Sequence, residues 1–210
     1  MKLYSYFRST AAYRVRIALA LKSIDYELVP VNLLKGEQKT DDFRSQNPEG
    51  LVPVLDTGKT RLSQSMAILE YIEQVYPEPA LLPQNLEQKA VARSLAQTIA
   101  SDTHPLNNLR VLNFLTEEMG ISKESKTQWY HHWVKTGFTS LEKRLTQHAG
   151  KFSIGDTLSI ADVCLIPQVY NAHRFDCPMQ DYPTINRIND HCMTLDAFYK
   201  TAPNLQPDAV

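Results

Sequence analysis

The chain has little cysteine, almost no excess charge and no long apolar run. Its 3 cysteines, Cys164, Cys177 and Cys192, are an odd number with no close C-x-x-C pair. That argues against a disulfide framework and against a zinc site, and it suits a reducing cytoplasm with the thiols as small apolar filler. Lys plus Arg number 22 and Asp plus Glu 23, a formal charge of −1, so no basic surplus supports nucleic-acid binding. No stretch has the length and apolarity of a membrane span. The first residues lack a secretory-signal layout, because Arg14 and Arg16 interrupt the only long apolar run. What is present, 43% hydrophobic and 21% charged residues over 210 positions, fits an ordinary globular protein of one large domain or two small ones.

The first eighty residues alternate strand and helix signals. A β-rich run, Leu3 to Phe7, meets a helical run, Ala12 to Lys22, through Arg8, Ser9 and Thr10. Tyr26 to Asn32 reads as a second strand, and Pro30 puts it at a sheet edge. Strand, helix, strand implies parallel pairing with a right-handed crossover. Leu33 to Gln46 reads as loop plus short helix. Asp56-Thr-Gly-Lys59 marks a hairpin over residues 53–63, and Ser65 to Val75 is helical with Ile68, Leu69, Ile72 and Val75 on one face. Three prolines between Tyr76 and Gln84 suggest a linker. Beyond it the pattern is helical: one long element, Gln88 to Leu115, bent at Pro105; a second, Glu124 to Gln147; a capping box at Ser159-Ile-Ala-Asp162 before an apolar run; and helices from Pro183 to about Tyr199. The expected fold is α/β plus all-α: a βαβ-α-ββα domain over 1–80 and an all-helical domain over 87–210.

Four features carry chemistry. Ser9 and Thr10 sit where helix N–H groups point outward unpaired, a place for a helix cap or for an anion. Val52-Pro53 opens a hairpin strand; a cis bond there would leave the Val52 backbone free to pair with an extended peptide, and a trans bond would not. Gln64-Ser65 opens a helix, where Ser65 either caps it or helps hold a carboxylate. The arginines Arg8, Arg110 and Arg174 either belong to the surface or grip carboxylates through their planar forks. His104 and Asn108, spaced by one helical turn, share a face, whereas Asn108 and Arg110 do not by strict spacing.

Together, Tyr4-Ser-Tyr-Phe-Arg-Ser9, Arg14-Val-Arg-Ile-Ala-Leu19, Asn47-Pro-Glu-Gly-Leu-Val-Pro53, Gln64-Ser65, His104-Pro-Leu-Asn-Asn108, Gly155-Asp156 with Ser159-Ile-Ala-Asp162, and Pro167-Gln-Val169 resemble the zeta class of the glutathione S-transferase superfamily. The resemblance spans essentially the whole chain. It implies a thioredoxin-like first domain, a helical second domain, a cis Pro53 and a homodimer. It implies glutathione as cofactor, bound by Ser9, Thr10, Gln38, Val52, Pro53, Gln64 and Ser65, with His104, Asn108, Leu109 and Arg110 contributed by the second domain. Catalysis would fall to Ser9 and Thr10, and Arg8, Arg110 and Arg174 would hold a dicarboxylate substrate. The implied activity is cis–trans isomerisation of maleylacetoacetate in phenylalanine and tyrosine breakdown. Alternatives are maleylpyruvate isomerisation, dehalogenation of α-halo acids, or a glutathione-binding scaffold without catalysis. A thioredoxin-type redox role is disfavoured, since no cysteine occupies the strand–helix turn. One departure stands out: the class usually reads Ser-Ser-Cys where this chain has Ser9-Thr10-Ala11.

Overall fold

The opening alternation becomes a strand, β1 (Lys2–Ser5), with Leu3 and Ser5 turned inward. The computed structural model describes residues 1–209. After β1 come α1 (Thr10–Leu21), β2 (Glu27–Pro30), α2 (Asp41–Gln46), β3 (Val54–Asp56), β4 (Arg61–Ser63) and α3 (Ser65–Val75). The sheet order is β2-β1-β3-β4, with β1 and β2 parallel and the other pairs antiparallel. Pro30 therefore lies on an edge strand, where its missing N–H disturbs no interior ladder. The hairpin turns at Gly58, whose φ of +81° suits a residue without Cβ, and its N–H donates to Asp56 Oδ1 at 2.8 Å. On α3, Ile68, Leu69 and Ile72 are buried as the periodicity implies. Val75, at the last position, is 47% exposed and leaves that face.

Helix α1 is buried along most of its length, its two arginines included. Arg16 donates to the carbonyls of Phe7 (3.0 Å) and Thr201 (3.1 Å) and to Ser5 Oγ (3.1 Å). At its C-terminal end, the Lys22 ammonium pairs with Glu73 at 2.8 Å and donates to the carbonyls of Tyr76 (2.6 Å) and Pro79 (2.8 Å). Glu73 also accepts the Leu81 N–H at 3.0 Å. The proline-rich stretch read as a linker is thus stapled to α1 and α3 as far as Leu81.

Contacts divide the chain into two units, Met1–Leu81 joined by the residues from Met193 onward, and Leu82–Cys192. The sequence pattern had placed everything after 87 in the helical domain. The closing residues instead serve the first unit: Phe198, in α9 (Asp196–Tyr199), is fully buried, and its carbonyl accepts the Tyr13 hydroxyl at 2.9 Å.

The second unit contains α4 (Leu86–Gln97), α5 (Leu109–Asn113), α6 (Lys123–His148), α7 (Ile160–Arg174) and most of α8 (Pro183–Met193). The single bent helix expected over 88–115 is broken. A π-helical stretch (Thr98–Thr103) follows α4, a 3₁₀ turn (Pro105–Asn107) follows that, and Asn108 is extended at φ −67°, ψ 147°. Pro105 opens the turn because it has no N–H to continue the ladder, and the Asn108 side chain then caps α5 by accepting the Arg110 N–H at 3.1 Å. His104 and Asn108 consequently are not one α-helical turn apart. A second π stretch (Phe114–Glu118) follows α5. Among the described residues, no helix is long and apolar enough to cross a membrane.

Gly137 of α6 admits the π stretch at close quarters: a Cβ there would lie 2.2 Å from Thr103 Oγ1. Thr103 is itself buried and donates to the Thr98 carbonyl at 3.0 Å. Gly137→Ala is expected to destabilise the protein by about 1–3 kcal/mol through overpacking, read as a lower urea midpoint at unchanged slope.

Candidate active site

The sheet register gathers the first unit's candidates at one end. Ser5, the last residue of β1, pairs with Pro30, the last of β2. Tyr4 pairs with Val54, the first of β3, and Val54 with Ser63, the last of β4. The turn holding Ser9, the loop holding Gln38, the Val52-Pro53 peptide and the start of α3 therefore all lie beyond the same end of the strands. Ligands of α/β sheets bind beyond the carboxyl ends of strands, where helix N-termini also point.

Ser9 is the N-cap of α1, and its Oγ accepts the Ala12 N–H at 3.2 Å while its side chain stays partly exposed. Thr10, the first helical residue, is only 4% exposed, so Ser9 is the more accessible of the two hydroxyls. Arg8 lies with its guanidinium carbon 4.7 Å from the centre of the Phe7 ring.

The Val52-Pro53 bond is cis. Among the described residues, neither the N–H nor the C=O of Val52 has a hydrogen-bond partner. The Leu51 carbonyl before it is held by Asn47 Nδ2 at 2.8 Å. Gly50 has φ +63°, and a Cβ there would stand 3.0 Å from the Gln38 carbonyl oxygen, so glycine lets the two loops close together. Gln38 donates weakly to the Leu33 carbonyl at 3.4 Å, and its Oε1 is buried without a partner among the described residues. A buried acceptor of this kind is open to a donor from water or from a ligand.

Gln64 precedes α3 at φ +67°, a left-handed conformation rare for a residue with a side chain. Its amide donates to Glu49 at 2.8 Å, and no side chain caps α3. Behind Ser65, the buried Arg14 donates Nη1 to Ser65 Oγ at 3.2 Å. An uncapped helix start with a guanidinium behind it is a favourable seat for a carboxylate. The sequence shows Arg14 as an interruption of an apolar run and as part of the Arg14-Val-Arg-Ile-Ala-Leu19 motif, and gives it no role at the site. The available signal was two arginines in a helix whose other residues are nearly all apolar.

The remaining candidates belong to the second unit. His104, Asn108, Leu109 and Arg110 fall between the two π stretches, with Leu109 and Arg110 exposed and the Asn108 side chain engaged in its cap. Single-turn π segments often mark functional positions. Arg174 ends α7, its guanidinium carbon 4.9 Å from the centre of the Phe175 ring. Phe175 in turn stacks on Tyr130 at 3.8 Å between centroids, which braces the arginine's support. The chain's own thiols are poor nucleophiles. All three are buried, and burial beside Asp176 pushes Cys177 up to about 11.

Residues 1–74 match the family model of the glutathione S-transferase N-terminal domain, and 107–201 that of the C-terminal domain. A probable maleylacetoacetate isomerase of Vibrio cholerae is 48% identical over 209 residues, covering 99% of this chain and 97% of the relative. The holo structure of a maleylpyruvate isomerase, described as a bacterial zeta-class glutathione S-transferase, superposes with a TM-score of 0.98 at 42% identity over the whole of both chains. A maleylacetoacetate isomerase from Anaeromyxobacter dehalogenans, with dicarboxyethyl glutathione and citrate in its active site, superposes with a TM-score of 0.89 at 41% identity over 100% of this chain and 97% of that one. The chain belongs to the glutathione S-transferase family, in its zeta class.

Proposed function

We propose that this chain is a glutathione-dependent cis–trans isomerase that converts maleylacetoacetate to fumarylacetoacetate. The observation that carries the reading is the convergence, beyond one end of the strands, of the Ser9 cap, the unpartnered Val52 backbone and the uncapped start of α3 backed by Arg14. These fit a short extended peptide with an anionic end and a thiol. Val52 would pair with its backbone in strand fashion, Ser65 and the α3 N-terminus would hold the γ-glutamyl carboxylate, with Gln64 beside it, and the buried Gln38 Oε1 would accept a donor. Bound glutathione would supply a thiolate for addition to the cis double bond; the alkene electrons would pass into the conjugated carbonyl as an enolate, and after rotation about the single bond the enolate would expel the thiolate, restoring the double bond as trans.

The protein's residues do the rest. Ser9 Oγ, held at a helix N-terminus, would donate a hydrogen bond to the sulfur and favour its ionised form, with Thr10 beneath it. Arg8, Arg110 and Arg174 would pin the two carboxylates of the substrate and stabilise the enolate charge that develops between them. The dicarboxyethyl glutathione bound by the Anaeromyxobacter relative supports this chemistry, because such a group is what thiol addition across a four-carbon unsaturated diacid leaves. On the family resemblance, His104, Asn108, Leu109 and Arg110 would also contribute to glutathione binding. We also read the chain as a cytoplasmic homodimer; light scattering checks the oligomeric state.

Ser9→Ala is expected to cut kcat for isomerisation at least about tenfold, or ~1.4 kcal/mol. Because Ser9 also caps α1, Ser9→Asn is the control: it keeps a cap but has no hydroxyl to offer the sulfur. Equal activity of the Asn variant and the parent would remove the hydroxyl from the chemistry. Maleylpyruvate isomerisation is the second reading, because solved isomerases of both names superpose on this chain almost equally well, with TM-scores of 0.98 and 0.97. The ratio of kcat/KM for the two substrates decides between them, and a ratio favouring maleylpyruvate overturns the assignment.

A further inference from the structure

We propose that the segment following Met193 is a strap that sets the position of Ser9, with Asp208 as its positioning residue. The strap acts on a single peptide group, the one joining Tyr6 to Phe7. Its oxygen accepts the Ser9 N–H at 2.9 Å, and its nitrogen donates to Asp208 Oδ2 at 2.9 Å. One planar unit is thus held by the candidate catalytic serine at one end and by a residue 201 positions away at the other. If Asp208 lets go, the plane is free to tilt, and the tilt is delivered to the Ser9 backbone.

Two further contacts make this a built feature. The next carbonyl, that of Phe7, accepts Arg16 Nη2, and the same guanidinium holds the Thr201 carbonyl in the strap. Beyond Asp208, Ala209 packs on the hydrophobic cluster that contains Tyr6 and Phe7, the two residues joined by that peptide group. Phe7 is only 3% exposed, so water is poorly placed to replace the carboxylate on its N–H.

The inference rests on the reading of Ser9 given above, and the experiment separates the two. Wild type, Asp208→Ala and Asp208→Asn are compared by amide exchange at Phe7 in ligand-free protein, by the ultraviolet thiolate absorbance of bound glutathione against pH, and by kcat and KM for maleylacetoacetate. The Ala variant is expected to speed Phe7 exchange about tenfold, raise the apparent thiol pKa by about half a unit, and lower kcat about threefold or more with little change in KM. The Asn variant keeps an acceptor oxygen and should restore most of each. A purely structural role would lower thermal stability without moving the thiol pKa, and that result overturns the proposal. So does an Asn variant as impaired as Ala, which would make the effect one of charge rather than position. Unchanged Phe7 exchange in the Ala variant refutes the strap whatever the chemistry. If Phe7 exchange responds but no thiolate forms in the wild type, the Ser9 reading falls, and the positioning role falls with it.

Discussion

Isomerisation is expected to stop when glutathione is removed from the assay and to return in full when it is restored. The loss should be at least about a thousandfold, equivalent to ~4 kcal/mol of barrier. A cis double bond does not rotate on its own at useful rates, so some nucleophile has to open it. The chain cannot supply one easily. Burial pushes Cys177 up to about 11, and burial beside the Asp162 carboxyl raises Cys192 further, so both stay protonated at neutral pH. A small-molecule thiol of pKa about 8.5 needs only a shift of one or two units to become substantially ionised, and the Ser9 cap at the start of α1 is suited to provide it. S-methylglutathione makes the sharper control, because it keeps both carboxylates and the peptide backbone while blocking the sulfur. It should inhibit competitively and support no turnover. Steady conversion of maleylacetoacetate by protein dialysed free of thiol would end this account.

Asp162→Ala is expected to be the most damaging single substitution for stability, costing at least about 3 kcal/mol. The carboxylate is fully buried and accepts three hydrogen bonds: the Ser153 N–H at 2.7 Å, the Ser159 N–H at 2.8 Å and the Ser159 hydroxyl at 3.1 Å. Alanine would leave two buried amides and a hydroxyl unsatisfied and undo the capping box of α7, the helix buried along nearly all its length. A melting temperature lower by about 6–12 °C is the corresponding thermal result. Asp162→Asn retains acceptor oxygens and should lose less. Burial holds the Asp162 carboxyl above its ordinary value of 3.8, so its stabilisation is greatest below that pH and is lost as pH rises through the higher folded-state value. The Asn variant, with no such proton to release, should show a flatter dependence of the urea midpoint over that range.

The fold was largely readable because its elements announce themselves locally. Pro30 marked the edge strand, Asp56-Thr-Gly-Lys59 the hairpin, and Ser159 with Asp162 the capping box, each through a constraint acting within a few residues. One miss was local and the others were not. The helix over 88–115 gave way at Asn108 because a capping side chain competes with the ladder, and periodicity does not register that competition. The destination of the residues after Met193 depends on Tyr13 and Arg16, more than 180 positions earlier, and Asp208 carries no mark of its partner. The site shared this division. Ser9, Val52 and Ser65 were visible as motifs, whereas the support given by Arg14 appears only once α1 lies against α3.

The return of residues 193–209 to the first unit bears on how the molecule is born. A ribosome finishes the strands and helices of residues 1–81 long before it makes Phe198 and Thr201. Until those emerge from the exit tunnel, the Tyr13 hydroxyl lacks the Phe198 carbonyl, and the Arg16 guanidinium holds Ser5 and Phe7 without the Thr201 carbonyl. The half made first is therefore completed last.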